Sequence, residues 1–138
     1  MLGCLRAKIE NQKLANIRAQ WLDLENGDIL EGNYHLVVCS MTLHHIRETR
    51  RLLGQFSEIL APQGYLCIAD LDPDGGQFHG ENDTVFHHGF DRPALRRVFM
   101  EAGFDDIEDR TAANVTKPIP DGGMRSFSVF LMIGRKRS

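Results

Sequence analysis

The sequence has no long apolar run, no paired cysteine motif and no excess of positive charge. No stretch approaches the roughly 18 apolar residues of a membrane-spanning helix, so no such helix is predicted. The N-terminus also lacks the apolar core and cleavage site of a signal peptide. The net charge of -3 argues against nucleic acid as a partner, because phosphate binding favours a basic face.

The three cysteines, Cys4, Cys39 and Cys67, form no CxxC pair. Cys39 and Cys67 lie inside apolar runs, where a free cysteine behaves as a small hydrophobic residue. This usage is typical of a reducing compartment, and a cytoplasmic location is therefore expected. A nucleophilic role for Cys39 is disfavoured, since a reactive thiol needs an electropositive, partly exposed setting with a base in reach.

The remaining composition indicates one globular domain over residues 1–138, with 42% hydrophobic and 25% charged residues. The apolar patterns predict helices at 1–13 and 47–60, the second stopped by "APQG", and a third helix capped by Asp91 and closed by Gly103. Strands are predicted at 15–23, 34–41, 65–71, 104–115 and 126–133. The strand at 34–41 is expected to be buried on both faces. Alternating strands and helices predict a parallel sheet, and the last two strands predict an antiparallel end.

Ligands of such sheets bind at the carboxyl ends of the parallel strands. Six histidines are present, and five fall in two segments near these ends: His44 and His45, then His79, His87 and His88. With Asp70 and Asp72 they could form a zinc or iron site. The spacings match no strong metal signature, and adjacent histidines at a strand end should point apart. No metal is therefore predicted, and the second segment is expected to line a lid loop within 72–90.

Three segments in order, "YHLVVCSMTLHHI", "LLGQFSEILAPQGYLCIADLD" and "FHHGFDRPALRRVFMEAGF", resemble the C-terminal part of a class I S-adenosylmethionine-dependent methyltransferase. Each segment alone is a weak signal, whereas the ordered set is specific and covers nearly the whole chain. The resemblance implies an α/β fold, a partial Rossmann-like methyltransferase sheet that is mostly parallel, with an antiparallel C-terminal strand and helices on the faces.

The family's glycine-rich first-strand loop, "E/D-x-G-x-G-x-G", and the acid that ends its second strand have no counterpart here. "MLGCLRAKIENQ" resembles the helix that follows that acid, and this resemblance implies the expectation that Met1 corresponds to an internal methionine of a longer ancestor. The missing strands would leave an open edge on residues 34–41. We expect either that the chain's own strand at 15–23 closes this edge or that a second copy pairs with it as a homodimer.

The resemblance assigns site residues position by position. Asp23 stands where the family binds the adenine amino group, with the Leu24 amide beside it, and the next strand end would present its backbone to the methionine part of the cofactor. The positions matched to cofactor binding are Asp23, Leu24, Cys39, Ser40, Met41 and His45. The positions matched to catalysis are His44, Asp70 and Asp72, because a carboxylate or imidazole there could orient a nucleophile or act as a base.

Each assignment has a plainer alternative. Asp23 could be a solvated turn residue, Cys39 and Ser40 a core thiol and a strand-end hydroxyl, the histidines capping or core side chains, and "DPDGG" a simple turn. The function implied by the resemblance is methyl transfer from S-adenosylmethionine to a small acceptor, which needs positioning more than catalytic side chains. Two other functions stay open: a non-catalytic remnant that acts as a scaffold or self-association domain, and a metal-binding protein built on the histidine and aspartate loop.

Overall fold

The computed structural model describes residues 2–79 and 84–137. Residues 80–83, which belong to the predicted lid loop, and the terminal Met1 and Ser138 lie outside that range. The helices are α1 (Leu2–Asn11), α2 (Thr49–Ile59) and α3 (Arg92–Glu101), and the strands are β1 (Tyr34–Ser40), β2 (Leu60–Leu71), β3 (Phe104–Pro118) and β4 (Met124–Lys136). Two short 3-10 turns lie at Leu24–Asn26 and Leu43–His45. None of the described helices is long and apolar enough to cross a membrane.

The strands form one sheet in the order β1-β2-β4-β3. β1 pairs with β2 in parallel, whereas β4 is antiparallel to both β2 and β3. The predicted α/β sheet with an antiparallel C-terminal end is therefore confirmed. β3 and β4 are both longer than predicted, because they continue pairing as a two-stranded hairpin out to Pro118 and Met124.

Local sequence signals fix the ends of the helices. The Asp91 side chain accepts a hydrogen bond of 3.1 Å from the Ala94 N–H and so caps α3, as predicted. Gly103 follows the helix with φ +104°, a conformation that glycine adopts without a steric penalty. α2 ends at Ile59, and "APQG" then forms an irregular first part of β2, where the register with β1 shifts.

The hydrophobic core lies between the sheet and the two helices α2 and α3, which contact each other and the strands. α2 supplies Leu52, Leu53, Phe56 and Ile59, which recur on one face of the helix and are all buried. β2 contributes alternate residues to the same core. Besides Phe56, the aromatic side chains of this core are Phe90, Phe99, Phe104 and Phe130. None of the residues of α1 is buried.

The predicted burial of residues 34–41 on both faces is wrong for the described chain. Val37 and Cys39 face the core, whereas Leu36 is 56% and Val38 63% exposed. Nothing in the described residues covers this second face, and β1 is an edge strand of the sheet. The prediction of an open edge on this strand is therefore confirmed.

The predicted strand at 15–23 is also wrong, because the described chain has no strand there. Ile17 and Trp21 remain 42% and 66% exposed. A strand needs a hydrogen-bonded neighbour, and the four-stranded sheet of the described residues offers none to this segment. The chain's own segment thus does not close the edge of β1.

Candidate functional site

The carboxyl ends of the two parallel strands lie side by side, because Ser40 pairs with Ala69 at the end of the ladder. The chain then turns sharply at Met41, which has φ +52° and donates its N–H to the Ala69 carbonyl at 2.8 Å. A non-glycine residue in this left-handed region costs roughly 1–2 kcal/mol, so the surrounding contacts must hold it there. The Thr42 hydroxyl donates to the Ser40 carbonyl at 3.0 Å. We call this turn, residues 40–42, the strand-end shelf.

A buried pair is formed by His44, which follows the end of β1 along the chain, and Asp70, near the end of β2. His44 Nδ1 is 2.7 Å from Asp70 Oδ1, and the two side chains are 1% and 0% exposed. The same carboxylate accepts the Leu71 N–H at 2.8 Å and the His44 N–H at 3.3 Å. Because a carboxylate ion can only accept, His44 carries its proton on Nδ1 and keeps a lone pair on Nε2.

Two further histidines gather around His44. His79 Nε2 lies 3.0 Å from His44 Nε2, and the ring of His45 lies 4.2 Å from that of His44, centre to centre. His45 Nδ1 is 2.8 Å from the carbonyl oxygen of Thr84. Burial, followed by the unfavourable electrostatic effect of the neighbouring His44 and His45, lowers the pKa of His79 below its ordinary value. His79 is 35 positions from His44 in the sequence, but the fold brings the three histidines into one cluster.

The loop after β2 is tied down over the Leu43–His45 turn. The Phe86 N–H donates to the His44 carbonyl at 2.9 Å, and His87 Nε2 donates to the Ile46 carbonyl at 2.9 Å. At the far end, the Phe90 N–H donates to the Leu71 carbonyl at 2.8 Å. His88 is exposed on this loop. The expected lid role stays a prediction, and the described part of the loop is already closed onto the site.

Asp72 is engaged by a cation rather than free. Arg92 Nε and Nη2 donate to its two oxygens, each at 2.7 Å, and the Ser128 hydroxyl donates at 2.5 Å. Hydrogen bonding to Arg92 has the largest effect on the pKa of Asp72, and the Ser128 hydroxyl adds to it. Together they hold this pKa below its ordinary value. Arg92 reaches on to Asp109 at 3.3 Å. A carboxylate held in this way is a weak base. The geometry therefore favours a structural role, in which Asp72 connects the start of the loop to Arg92 and Ser128.

Cys39 faces the core beside the buried pair. Burial, followed by the charge of Asp70, raises the pKa of the Cys39 thiol to about 11. The thiol is therefore protonated and poorly accessible under ordinary conditions. This agrees with the expectation that Cys39 is no nucleophile and leaves only its backbone for a binding role. All three cysteines are free thiols.

Asp23 and Leu24 lie at a separate turn. The Asn26 side-chain amide donates to Asp23 Oδ2 at 2.6 Å, and the Asp23 N–H donates to Asp28 Oδ2 at 2.8 Å. Leu24 lines a small groove together with Ile46, which follows the histidine pair. The turn thus lies near the strand-end shelf, but the Asp23 carboxylate is occupied locally. Its matched role in adenine binding stays a prediction.

Two partners at the site were not predicted from the sequence. Arg92 was expected only to begin a helix, and Ser128 only to lie in a strand. The "FDRP" segment gave a partial signal for Arg92, because an arginine at the start of a helix has no favourable interaction with the helix dipole and suggests a separate partner. Ser128 carried no such signal. Its contact with Asp72 spans 56 positions.

This geometry can be set beside known proteins. The sequence model of a family described as "Methyltransferase domain" matches residues 4–109, which is most of the chain. The chain belongs to this methyltransferase-domain family. An uncharacterized methyltransferase of Schizosaccharomyces pombe is 33% identical over an alignment that covers 64% of this methyltransferase domain and 37% of the relative. The domain therefore spans well under half the length of the curated relative it matches.

Solved structures agree on the fold of the methyltransferase domain. The YcgJ protein from Bacillus subtilis has a TM-score of 0.75 at 12% identity, and the match covers 100% of this chain and 79% of that one. Phosphoethanolamine N-methyltransferase 2 from Haemonchus contortus, solved with phosphomonomethylethanolamine and S-adenosylhomocysteine, has a TM-score of 0.69 at 13% identity. That match covers 96% of this chain and 40% of the other. At these identities the structures support the fold, which confirms the Rossmann-like methyltransferase sheet.

Proposed function

We propose that this methyltransferase domain supplies one side of an S-adenosylmethionine site and takes part in methyl transfer to a small acceptor. The observation that carries the proposal is the strand-end shelf, where Met41 holds a left-handed turn against Ala69 at the carboxyl end of two parallel strands. Open α/β sheets bind ligands at this edge. The Haemonchus enzyme, which shares the fold, was solved with S-adenosylhomocysteine, and this supports the choice of cofactor.

When bound, S-adenosylmethionine would supply an electrophilic methyl group. The residues of this chain would then position and shield rather than carry out proton chemistry. Asp70 is fully buried and fixes the tautomer of His44, so it acts as a positioning residue. Asp72 would hold the loop through Arg92, and His44 would keep its Nε2 lone pair on the side of the loop.

Calorimetric titration with S-adenosylmethionine and S-adenosylhomocysteine tests the proposal. We expect saturable heat at millimolar ligand and a higher melting temperature, because ligand binding to the folded state stabilises it. Replacing the exposed shelf residue, Ser40→Leu, should abolish the heat. The matched control is Ser126→Leu, another exposed strand serine, on the β3–β4 hairpin. No heat and no thermal shift for the unchanged chain would refute cofactor binding.

A non-catalytic scaffold is the second candidate. It is favoured by the exposed apolar residues of β1, an edge strand that a partner chain could cover. A scaffold would fold cooperatively and show neither cofactor heat nor methyl transfer. The same titration therefore separates the two candidates, and the three free thiols support a reducing, cytoplasmic setting for either.

We also propose that a second copy covers the open edge of β1. The support is an unpaired edge strand bearing exposed apolar residues, since such an edge is a template for pairing with another chain. Sedimentation velocity should show a dimer, and Val38→Lys should shift it to a monomer. A lysine on the exposed β3 position, Val115→Lys, is the control. A clean monomer of the unchanged chain would contradict this proposal.

A further inference from the structure

The cluster of His44, His45 and His79 is more than the methyl-transfer proposal needs. One ligand nitrogen from each of these side chains lies within 4.8 Å of the other two. Within residues 2–79 and 84–137, this is the group of histidine, cysteine and acidic side chains that comes close enough to share an ion. Three imidazoles in contact are a common ligand set for zinc.

The hydrogen bonds of two members leave the correct nitrogen free. His44 Nδ1 donates to Asp70, so its lone pair is on Nε2. His45 Nδ1 lies 2.8 Å from the Thr84 carbonyl oxygen, which can only accept, so Nδ1 of His45 also carries the proton. Both rings are thus fixed in the tautomer that presents Nε2 as a metal ligand.

The buried carboxylate behind His44 is a second, independent feature. Metal-binding histidines usually donate their other ring N–H to a carboxylate or carbonyl, which orients the ring and raises its basicity. Asp70 does this for His44 at 2.7 Å, and the Thr84 carbonyl does it for His45 at 2.8 Å. The pattern of ring, free nitrogen and supporting acceptor occurs twice in the same cluster.

One pair of ligand nitrogens is close to the spacing of a zinc site, whereas the widest separation in the cluster is up to 4.8 Å. Zinc–nitrogen bonds of about 2.0–2.1 Å in a tetrahedral site separate the ligand nitrogens by about 3.3 Å. His44 Nε2 and His79 Nε2 are 3.0 Å apart, slightly closer than that. The widest separation, up to 4.8 Å, has to shorten by up to about 1.5 Å to reach this spacing. His45 and His79 are half-buried rather than fixed in the core, so their rings can make this adjustment.

From this arrangement we infer that His44, His45 and His79 bind one divalent transition-metal ion of the zinc class through nitrogen atoms, with Asp70 orienting His44. The described residues supply three ligands, so a fourth position is left for water or another donor. The site connects the end of β1 to the loop after β2. Metal binding would therefore link His79, in the loop after β2, to the two histidines that follow the strand-end shelf.

The competing interpretation is a hydrogen bond from His79 to His44 without any metal. Both interpretations use the 3.0 Å contact, and they differ in what happens when metal is offered. The untagged chain of residues 1–138, stripped with a chelator, should be titrated with Zn²⁺ by calorimetry and with Co²⁺ by visible absorption. We expect one ion per chain and the intense visible bands of tetrahedral cobalt.

The variants separate a built site from surface histidines. His79→Gln and His45→Gln should each weaken Zn²⁺ binding by more than about 100-fold, and Asp70→Asn by about 10–100-fold. His88→Gln, on the same loop, and His35→Gln, on β1, replace exposed histidines and should leave the affinity unchanged. Circular dichroism of each variant confirms that it is folded, so a lost site is not confused with an unfolded chain.

Two results would overturn the inference. One is the absence of stoichiometric Zn²⁺ binding by the unchanged chain up to about 1 mM, beyond which an affinity is too weak to be specific. The other is equal affinity in His79→Gln and His88→Gln, which would mean adventitious binding to exposed imidazoles. Because the titration contains no S-adenosylmethionine, its failure is independent of the proposed methyl transfer.

Discussion

Asp70→Asn is the most informative single change, because the Asp70 carboxylate is the point on which three donors converge. It accepts from His44 Nδ1 at 2.7 Å, from the Leu71 N–H at 2.8 Å and from the His44 N–H at 3.3 Å. The side chain is 0% exposed, so water cannot replace a lost partner. Asparagine keeps the shape but replaces one acceptor oxygen with an NH₂ donor.

The expected cost follows from these contacts. At least one of the three donors then faces another donor in a buried site, which costs about 1–3 kcal/mol. The bond to His44 also loses its charge, and charge-assisted bonds contribute about 1.5–3 kcal/mol against about 1 for neutral ones. We therefore expect Asp70→Asn to lower the free energy of unfolding by roughly 2–4 kcal/mol.

Urea unfolding followed by far-UV circular dichroism measures this difference. The control is Asp105→Asn, which removes a surface ion pair with Arg137 whose side chains are 56% and 51% exposed. Such a pair contributes about 0–1 kcal/mol, so the control should unfold nearly as the parent does. If the two variants were equally stable, the argument that Asp70 is a buried, fully used acceptor would be refuted.

Three further predictions concern the loop, the acid range and the thiols. Gly89 has φ +85° and an added Cβ would lie 2.2 Å from the Asp72 carbonyl oxygen, whereas Gly75 has φ +65° with no atom within 4 Å. Gly89→Ala should thus cost at least about 3 kcal/mol in urea unfolding and Gly75→Ala about 1, and equal costs would contradict the close approach. Because the pKa of Asp72 is lowered on folding, its ion pair stabilises the protein above about pH 4 and is lost as the pH falls through the folded-state value. Asp72→Asn should therefore flatten the fall in unfolding free energy below about pH 4, and an unchanged slope would exclude this role. Iodoacetamide should label the exposed Cys4 quickly. Cys39 is buried and its pKa is raised to about 11, so it should be labelled only after unfolding. Equal labelling of the two thiols, measured by mass spectrometry, would show that Cys39 is accessible.

The parts of the fold that depend on neighbouring residues were predictable from the sequence. The Asp91 cap and the Gly103 stop act within one helical turn, so the sequence contains all that fixes them. The apolar stripe of α2 and the meeting of two parallel strand ends follow from periodicity and alternation in the same way.

The wrong predictions depend on partners that the local pattern does not contain. The segment 15–23 has the composition of a strand but finds no neighbour to pair with, so it stays irregular. Likewise, the mostly apolar run of β1 indicated burial on both faces, yet burial requires a covering layer and Val38 has none among the described residues.

The candidate site was also only partly predictable, because its contacts join residues that are distant in the sequence. His44 and His79 were singled out by residue type, but their contact depends on how the loop folds back over 35 positions. Asp72 looked like a base because nothing near it in the sequence marks Arg92, 20 positions away, as its partner. Residue type and strand ends thus located the site, whereas the loop decides what each side chain does there.

The central claim is that the carboxyl ends of β1 and β2 form a cofactor surface. Backbone amide NMR of the chain during titration with S-adenosylhomocysteine tests it most directly. We expect saturable shifts at the amides of Met41, Thr42 and Leu43, and little change at Gln63 and Asp106, which line a groove at the amino end of β2. Shifts confined to that groove, or no shifts at millimolar ligand, would contradict the account.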